Sequence, residues 1–192
     1  PFRLHGKGSK RLMSIAIQMK LAQTGGIALI DEIEQGLEPD RIATLVRLFR
    51  KMNKGQVFIT THSMNVILEA EANNLFVLNK GAGSLLQVDC DMDNCRRSNP
   101  QAFFGRKLIV CEGKTECGFL RALDMCIEKK YDANFSTKGV IIVNASGGDK
   151  IYTYAIKLKN LGYDVCVFAD NDVSEELSKS INAAKQSSIP LF

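Results

Sequence analysis

Apolar residues recur at helical spacing through Leu12, Ile15, Ala16, Met19 and Ala22, which predicts a helix starting just after Gly8-Ser9. The unbroken run Ile27-Ala28-Leu29-Ile30 leads into Asp31 and reads as a buried strand. A second helix is expected after Pro39, with Ile42, Leu45, Val46, Phe49 and Met52 as its stripe, and Gln56 to Thr60 reads as the next strand. A third helix from about Ser63 and two short strands, Leu75 to Asn79 and Ser84 to Asp89, complete this half. Between about Cys90 and Gly105 the period dissolves into Asp91-Met92-Asp93-Asn94, Arg96-Arg97 and Ser98-Asn99-Pro100, which is loop chemistry. The alternation then restarts: strand Lys107 to Cys111, helix Thr115 to about Lys129, strand Val140 to Asn144, helix Lys150 to Leu161, strand Asp164 to Ala169, and a helix from Ser174. Strands alternating with helices predict an α/β fold with parallel sheets, in two domains at 1–90 and 106–192 joined by a linker at 91–105.

Composition narrows the class only modestly. The 192 residues are 45% hydrophobic and 24% charged, which excludes disordered and collagen-like chains. Lys and Arg number 25 against 21 Asp and Glu, a net charge of +4 that permits an anionic partner without demanding one. No apolar run approaches the ~18 residues of a membrane span, so no membrane partner is expected. The six cysteines form no C-x-x-C pair, and with two histidines in the chain they read as reduced, buried thiols of a cytoplasmic protein. The opening Pro1-Phe2-Arg3-Leu4-His5 lacks an initiator Met and a signal-peptide layout, and the chain is expected to begin partway through a larger protein.

The strand ending in Asp31-Glu32 sets two carboxylates where ligands of open α/β sheets bind. One can hold Mg²⁺ while the next polarises a water for hydrolysis of a nucleoside triphosphate. Around them stand Gly6-Lys7-Gly8-Ser9-Lys10-Arg11 before a helix, Glu34 to Pro39, and Thr60-Thr61-His62-Ser63. In this order the motifs resemble the second half of an ABC-type ATPase head. The resemblance implies that Gly6, Gly8 and Ser9 belong to a departed signature loop gripping the nucleotide of a partner subunit. It likewise implies that Asp31 and Glu32 are the Walker B pair, Glu34 to Pro39 the D-loop, and His62 the switch histidine. Lys7 and Ser9 depart from the usual signature residues. G-x-x-x-x-G-K-[ST] is not satisfied by Gly6 to Lys10, so the Walker A loop that would complete the ATP–Mg²⁺ site is absent from this sequence.

In the second half, Glu112 follows an apolar strand, Glu116 lies on the first turn of the next helix, and Asp170-Asn171-Asp172 ends another strand. Side chains two apart on an extended segment point the same way, so Asp170 and Asp172 can share an ion, and the oxygen-only set suits Mg²⁺ or Mn²⁺. This constellation resembles a Toprim domain. An ABC half followed by Toprim resembles the OLD (overcoming lysogenization defect) ATP-dependent nucleases over nearly the whole chain, from Gly6 to Asp172.

That resemblance implies an ATP-regulated, metal-dependent DNA endonuclease serving defence against phage or repair, with two ions held by Glu112, Glu116, Asp170 and Asp172. Its implied partners are DNA, ATP, a second copy in a homodimer or higher homo-oligomer, and a helicase-like or defence protein. It also implies further catalytic residues downstream of the aspartate pair, so that the Toprim part is expected to be truncated. A different reading is an ATP-gated DNA-binding scaffold of the SMC and RecF kind whose Toprim part does not cut. Asp170 to Val173 also looks like the opening motif of haloacid-dehalogenase phosphatases, though late in the chain. Asp89, Asp91 and Asp93 mimic an EF-hand start, but Asn94 and Pro100 stand where Gly and Glu are needed. Ser146 to Lys150 reads as a turn into a helix capped by Asp149, and Tyr152 and Tyr154 as structural residues.

Overall fold

A computed structural model describes residues 6–52, 54–79, 83–170 and 175–192. They form two compact units that part between Glu71 and Ala72. The first unit contains α1 (Lys7–Ala22), β1 (Ile27–Ile30), α2 (Pro39–Arg50), β2 (Gln56–Ile59) and α3 (Met64–Glu69). Strands β1 and β2 pair in parallel with Ile30 opposite Ile59. Ile15, Ile30, Ile33, Ile42, Leu45, Val46 and Val66 make the core, so the predicted stripes of α1 and α2 do turn inward. Pro39 opens α2 because a first-turn residue needs no N–H.

One expectation fails on this sheet. The run Ile27 to Ile30 is not a fully buried strand: Ala28 and Ile30 are covered, while Ile27 and Leu29 are 64% and 70% exposed. Successive strand side chains point to opposite faces, and in this unit only one face of the β1–β2 pair is packed.

The second unit begins with a 3₁₀ turn at Ala72–Asn74 and the antiparallel hairpin β3 (Phe76–Asn79) and β4 (Ser84–Gln87). Next come a 3₁₀ turn at Cys90–Met92, α4 (Asp93–Ser98) and another 3₁₀ turn at Pro100–Phe104. After these come β5 (Lys107–Cys111), α5 (Lys114–Tyr131), β6 (Val140–Asn144), α6 (Gly148–Asn160), β7 (Asp164–Phe168) and α7 (Glu175–Gln186). The sheet order is β6-β5-β7, all parallel. The chain's end runs beside β7, where Val167 and Ala169 donate backbone bonds to Pro190 and Phe192.

The segment 91–105 is not a loop-like linker. It is helical, and Met92, Cys95, Arg96, Asn99 and Ala102 are buried in the second unit. Asn99 explains much of this. Its side chain accepts the N–H of Asn144 at 2.8 Å and donates to the Asn144 carbonyl at 2.9 Å, so one amide side chain satisfies both backbone groups at the end of β6. Arg96, 1% exposed, is paired with Asp93, which also takes Arg97. Burial alone pushes the Asp93 carboxyl up, but the two guanidinium groups hold it below the usual range.

All six cysteines are free thiols, as expected of their spacing, though Cys90 and Cys126 are exposed rather than buried. Burial pushes Cys95 up to about 12 and raises Cys111 and Cys117, so these thiols are inert. Among the described residues no helix is long and apolar enough to cross a membrane. Tyr152 and Tyr154 are buried in the second unit's core.

Candidate functional site

The first unit gathers its motif residues at the carboxyl ends of β1 and β2. Thr60, just past β2, donates its hydroxyl to Oδ1 of Asp31 and accepts the N–H of Glu32 at 2.9 Å. Arg11 of α1 donates to the carbonyls of Asp31 and Glu32. These bonds matter because Glu32 has φ 45°, a left-handed conformation that costs a non-glycine residue roughly 1–3 kcal/mol. The following residue, Ile33, is fully buried and donates its N–H to the Thr60 carbonyl at 3.2 Å. Glu32 is therefore held by its neighbours in a conformation it would not choose, with its carboxylate exposed.

Glu34 makes a second clamp. Its carboxylate accepts the N–H of His62 at 2.6 Å and the hydroxyl of Thr61 at 2.7 Å. The His62 backbone is thus tied to the segment that follows Asp31-Glu32, and its side chain is exposed. Gly6 is the N-cap of α1, and Gly8 and Ser9 lie in its first turn, where backbone N–H groups have no intrahelical acceptor. A Cβ on Gly8 would fall 2.6 Å from the carbonyl oxygen of Gly36, itself at φ 75°. Only glycine lets the start of α1 lie against the 34–39 loop. Sequence reasoning placed Arg11, Glu34 and Thr60 in the motifs but missed their clamping roles, since their bonds span 20 to 29 residues.

In the second unit Glu112 directly follows β5 and Asp170 lies two residues past β7. The parallel register sets Cys111 opposite Phe168, so both acids emerge at the same edge of adjacent strands. The loop after β6 reaches the same edge, because Ala145 donates to the Cys111 carbonyl at 2.9 Å and Gly147 to that of Glu112 at 3.1 Å. Tyr152 lies near enough to Glu112 for the carboxylate to add to burial in raising the phenol. Glu116 accepts the N–H of Gly113 at 2.7 Å, the one half of a capping box open to a glycine N-cap, and its second oxygen is left for another partner. Asp172 lies outside the described residues.

Among the described residues no three His, Cys, Asp or Glu side chains gather into a metal-holding group. The donors at this edge are nonetheless carboxylate oxygens alone, which fit a hard divalent cation in kind.

Residues 1–69 match the AAA domain family whose description cites an AbiEii toxin and a Type IV TA system. Residues 103–172 match the overcoming lysogenization defect protein-like TOPRIM domain. The chain has the domain architecture of the OLD family. Its fold is accordingly an AAA ATPase part followed by a TOPRIM domain, both α/β with parallel sheets. A stretch of 84 residues is also 36% identical to the energy-coupling factor transporter ATP-binding protein EcfA2 of Spiroplasma kunkelii, covering 42% of this chain and 26% of that protein. The chain thus spans about a quarter of the length of this curated relative. ATPase and TOPRIM domains in OLD order fit a nucleotide-binding, nuclease-like protein.

Proposed function

We propose that this chain is part of an ATP-regulated, divalent-metal-dependent DNA endonuclease, acting in the cytoplasm in defence against phage or in repair. The observation that carries the reading is the meeting of Glu112 and Asp170 at one edge of adjacent parallel strands, in a chain whose other unit holds Asp31, Glu32 and His62 at a second such edge.

Glu112, Glu116, Asp170 and Asp172 would hold Mg²⁺ or Mn²⁺ against a DNA phosphodiester. When bound, such ions polarise the phosphoryl oxygen and lower the pKa of water. Glu112 directly follows β5, a strand packed on both faces, which fixes where its backbone leaves the sheet. Glu116 is fixed by its cap bond to Gly113, which limits how far its free oxygen can swing. In the first unit Asp31 would hold the Mg²⁺ that accompanies ATP, and Glu32 would orient the attacking water. His62, tied through Glu34, would sit against the γ-phosphate. The first-turn N–H groups at Gly6, Gly8 and Ser9 would meet the nucleotide of a second copy, which makes a homo-oligomer part of the proposal.

Nicking of supercoiled plasmid with Mg²⁺ or Mn²⁺ tests the reading. Cleavage should need the metal and fall by at least about 10²-fold in Glu112→Ala, the scale of losing a group that acts on the reacting atoms. Equal cutting by Glu112→Ala would remove the assigned site, and no cutting beside intact ATP hydrolysis would favour an ATP-gated scaffold.

A further inference from the structure

A polar cavity of about 230 Å³ lies beside the candidate metal edge, lined by Asn94 and Ser98 of α4, the backbone and side chains of 144–146, and Lys150 and Tyr154 of α6. Its size decides what kind of group it can take. Drug-sized ligands need roughly 300–1,000 Å³, whereas a water occupies about 30 Å³, so the space suits a small, compact group. Its chemistry decides the charge. Among the described residues no carboxylate lines it, while Lys150, Ser98, Ser146, Tyr154 and Asn94 all offer donors.

Tyr154 supplies an independent pointer. The residue is 5% exposed, and a buried phenol ordinarily finds a hydrogen-bond partner. Tyr163 follows that rule, donating to the Phe103 carbonyl at 3.0 Å. Tyr154 lines the cavity and makes no hydrogen bond among the described residues, while burial, Cys95 and the Asp91 carboxylate push its phenol up against the opposing pull of Lys157. Lys150 has no ion pair among the described residues and is exposed at the mouth. Ser146 lines the cavity at φ 58°, with its N–H on Oδ1 of Asn144 at 2.8 Å and its hydroxyl on the same oxygen in a long bond of 3.4 Å that a ligand oxygen could replace. The same loop bonds to the backbone of Glu112 through Gly147.

We propose that this cavity is a phosphate subsite, which seats the nucleic-acid phosphate adjacent to the one held at the Glu112–Asp170 edge. The identity of the ligand as a strand rests on the nuclease reading; the preference for a phosphate rests on the lining. Lys150 gives the charge, and the Ser146, Ser98 and Tyr154 hydroxyls give directed bonds to the phosphate oxygens. These are positioning residues: they hold the strand and do not touch the bond that breaks.

The test is a fluorescence anisotropy titration of the whole chain with a short fluorescein-labelled single-stranded DNA in EDTA, so that no cleavage occurs. Lys150→Ala should weaken binding about ten-fold and lower the slope of log affinity against log salt by about one, as loss of one phosphate contact does. Tyr154→Phe keeps the ring and should weaken binding about three-fold, the loss of a single hydroxyl bond. Lys129→Ala, which removes an exposed charge elsewhere, should change binding less than two-fold and leave the slope. Lys150→Ala behaving like Lys129→Ala would overturn the subsite, as would a parent chain that does not bind the strand. Inorganic phosphate is the second arm: displacement of the strand by millimolar phosphate in the parent but not in Lys150→Ala supports the site. Phosphate that protects Lys150 amide signals while strand binding ignores Lys150→Ala would make it a free-phosphate site and sink the strand reading. Should Lys150→Ala shift binding while the parent cuts no plasmid, the subsite stands and the nuclease reading falls alone.

Discussion

Two apolar strands run into acids at their carboxyl ends, β1 into Asp31-Glu32 and β5 into Glu112, yet they are supported in opposite ways. Strand β5 lies between β6 and β7, with Leu108 and Val110 in one core cluster and Cys111 in another that includes Cys117 and Leu120. Strand β1 has one partner in its unit, and Ile27 and Leu29 face outward on one side. Glu112 is therefore placed by a strand packed on both faces. Asp31 and Glu32 are placed instead by polar clamps: Thr60, Arg11 and, through Glu34, the His62 backbone. The end of β5 is tied by backbone bonds from Ala145 and Gly147, whereas the end of β1 is tied by the side chains of Thr60 and Arg11.

The largest expected effect falls on the clamped side. Glu32→Gln keeps shape and most hydrogen bonding but removes the base, and should lower ATP turnover by about 10²–10⁴-fold while ATP still binds. A turnover assay paired with nucleotide retention reads both quantities in a preparation that hydrolyses ATP. Unchanged turnover would break the assignment of Glu32 as the group that orients the attacking water.

Next in size is the packing contrast itself. Leu108→Ala removes a fully buried side chain from β5 and should cost about 2–5 kcal/mol. Leu29→Ala on β1 should stay within about 0.5 kcal/mol because its side chain faces out. Urea midpoints for the two variants decide the matter: similar losses would mean that β1 is covered in solution by something that the chain's first unit does not supply alone.

Asn99→Ala comes third. It leaves the N–H and carbonyl of Asn144 without their partner, at about 1–3 kcal/mol. Hydrogen exchange should localise the loss to the Asn144 amide and its neighbours. An effect spread evenly over the unit would show that Asn99 acts as general packing rather than as a cap for β6.

These residues also mark what the sequence could tell. Elements and their order were readable because each apolar run has a clear period: the five residues Val140 to Asn144 were expected as a strand and form β6. The acids at strand ends were readable for the same reason, each standing where an apolar run stops. The 91–105 segment was not, because Asp, Asn, Ser and Pro favour turns and no local pattern reveals that Arg96 and Asn99 are buried with partners of their own. Nor were the clamps, since a hydroxyl or guanidinium that bonds across 20 or more residues leaves no periodic trace. Whether an apolar run has one face or two in contact is likewise a property of its neighbours in space, and β1 and β5 look alike until the sheet is assembled.

The smallest effects come from two helix glycines, and their signs should differ. Gly118 lies within α5 with nothing within 4 Å of where a Cβ would be. Glycine inside a helix is less favourable than alanine by roughly 0.5–1 kcal/mol, so Gly118→Ala should stabilise the second unit by about that amount. Gly8 lies at the start of α1, and a Cβ there would be 2.6 Å from the Gly36 carbonyl oxygen. Backbone must move to relieve that contact, so Gly8→Ala should destabilise, by about 1–3 kcal/mol on the scale of overpacking. It should also weaken ATP-dependent activity, because the displaced elements are the α1 start and the 34–39 loop that carries Glu34, the residue clamping His62. Thermal melts of the two single variants separate the cases by the sign of the shift. If Gly8→Ala stabilised as Gly118→Ala does, the α1 start and the 34–39 loop would not be in contact, and the argument that clamps place the acids of the first unit would lose one of its supports.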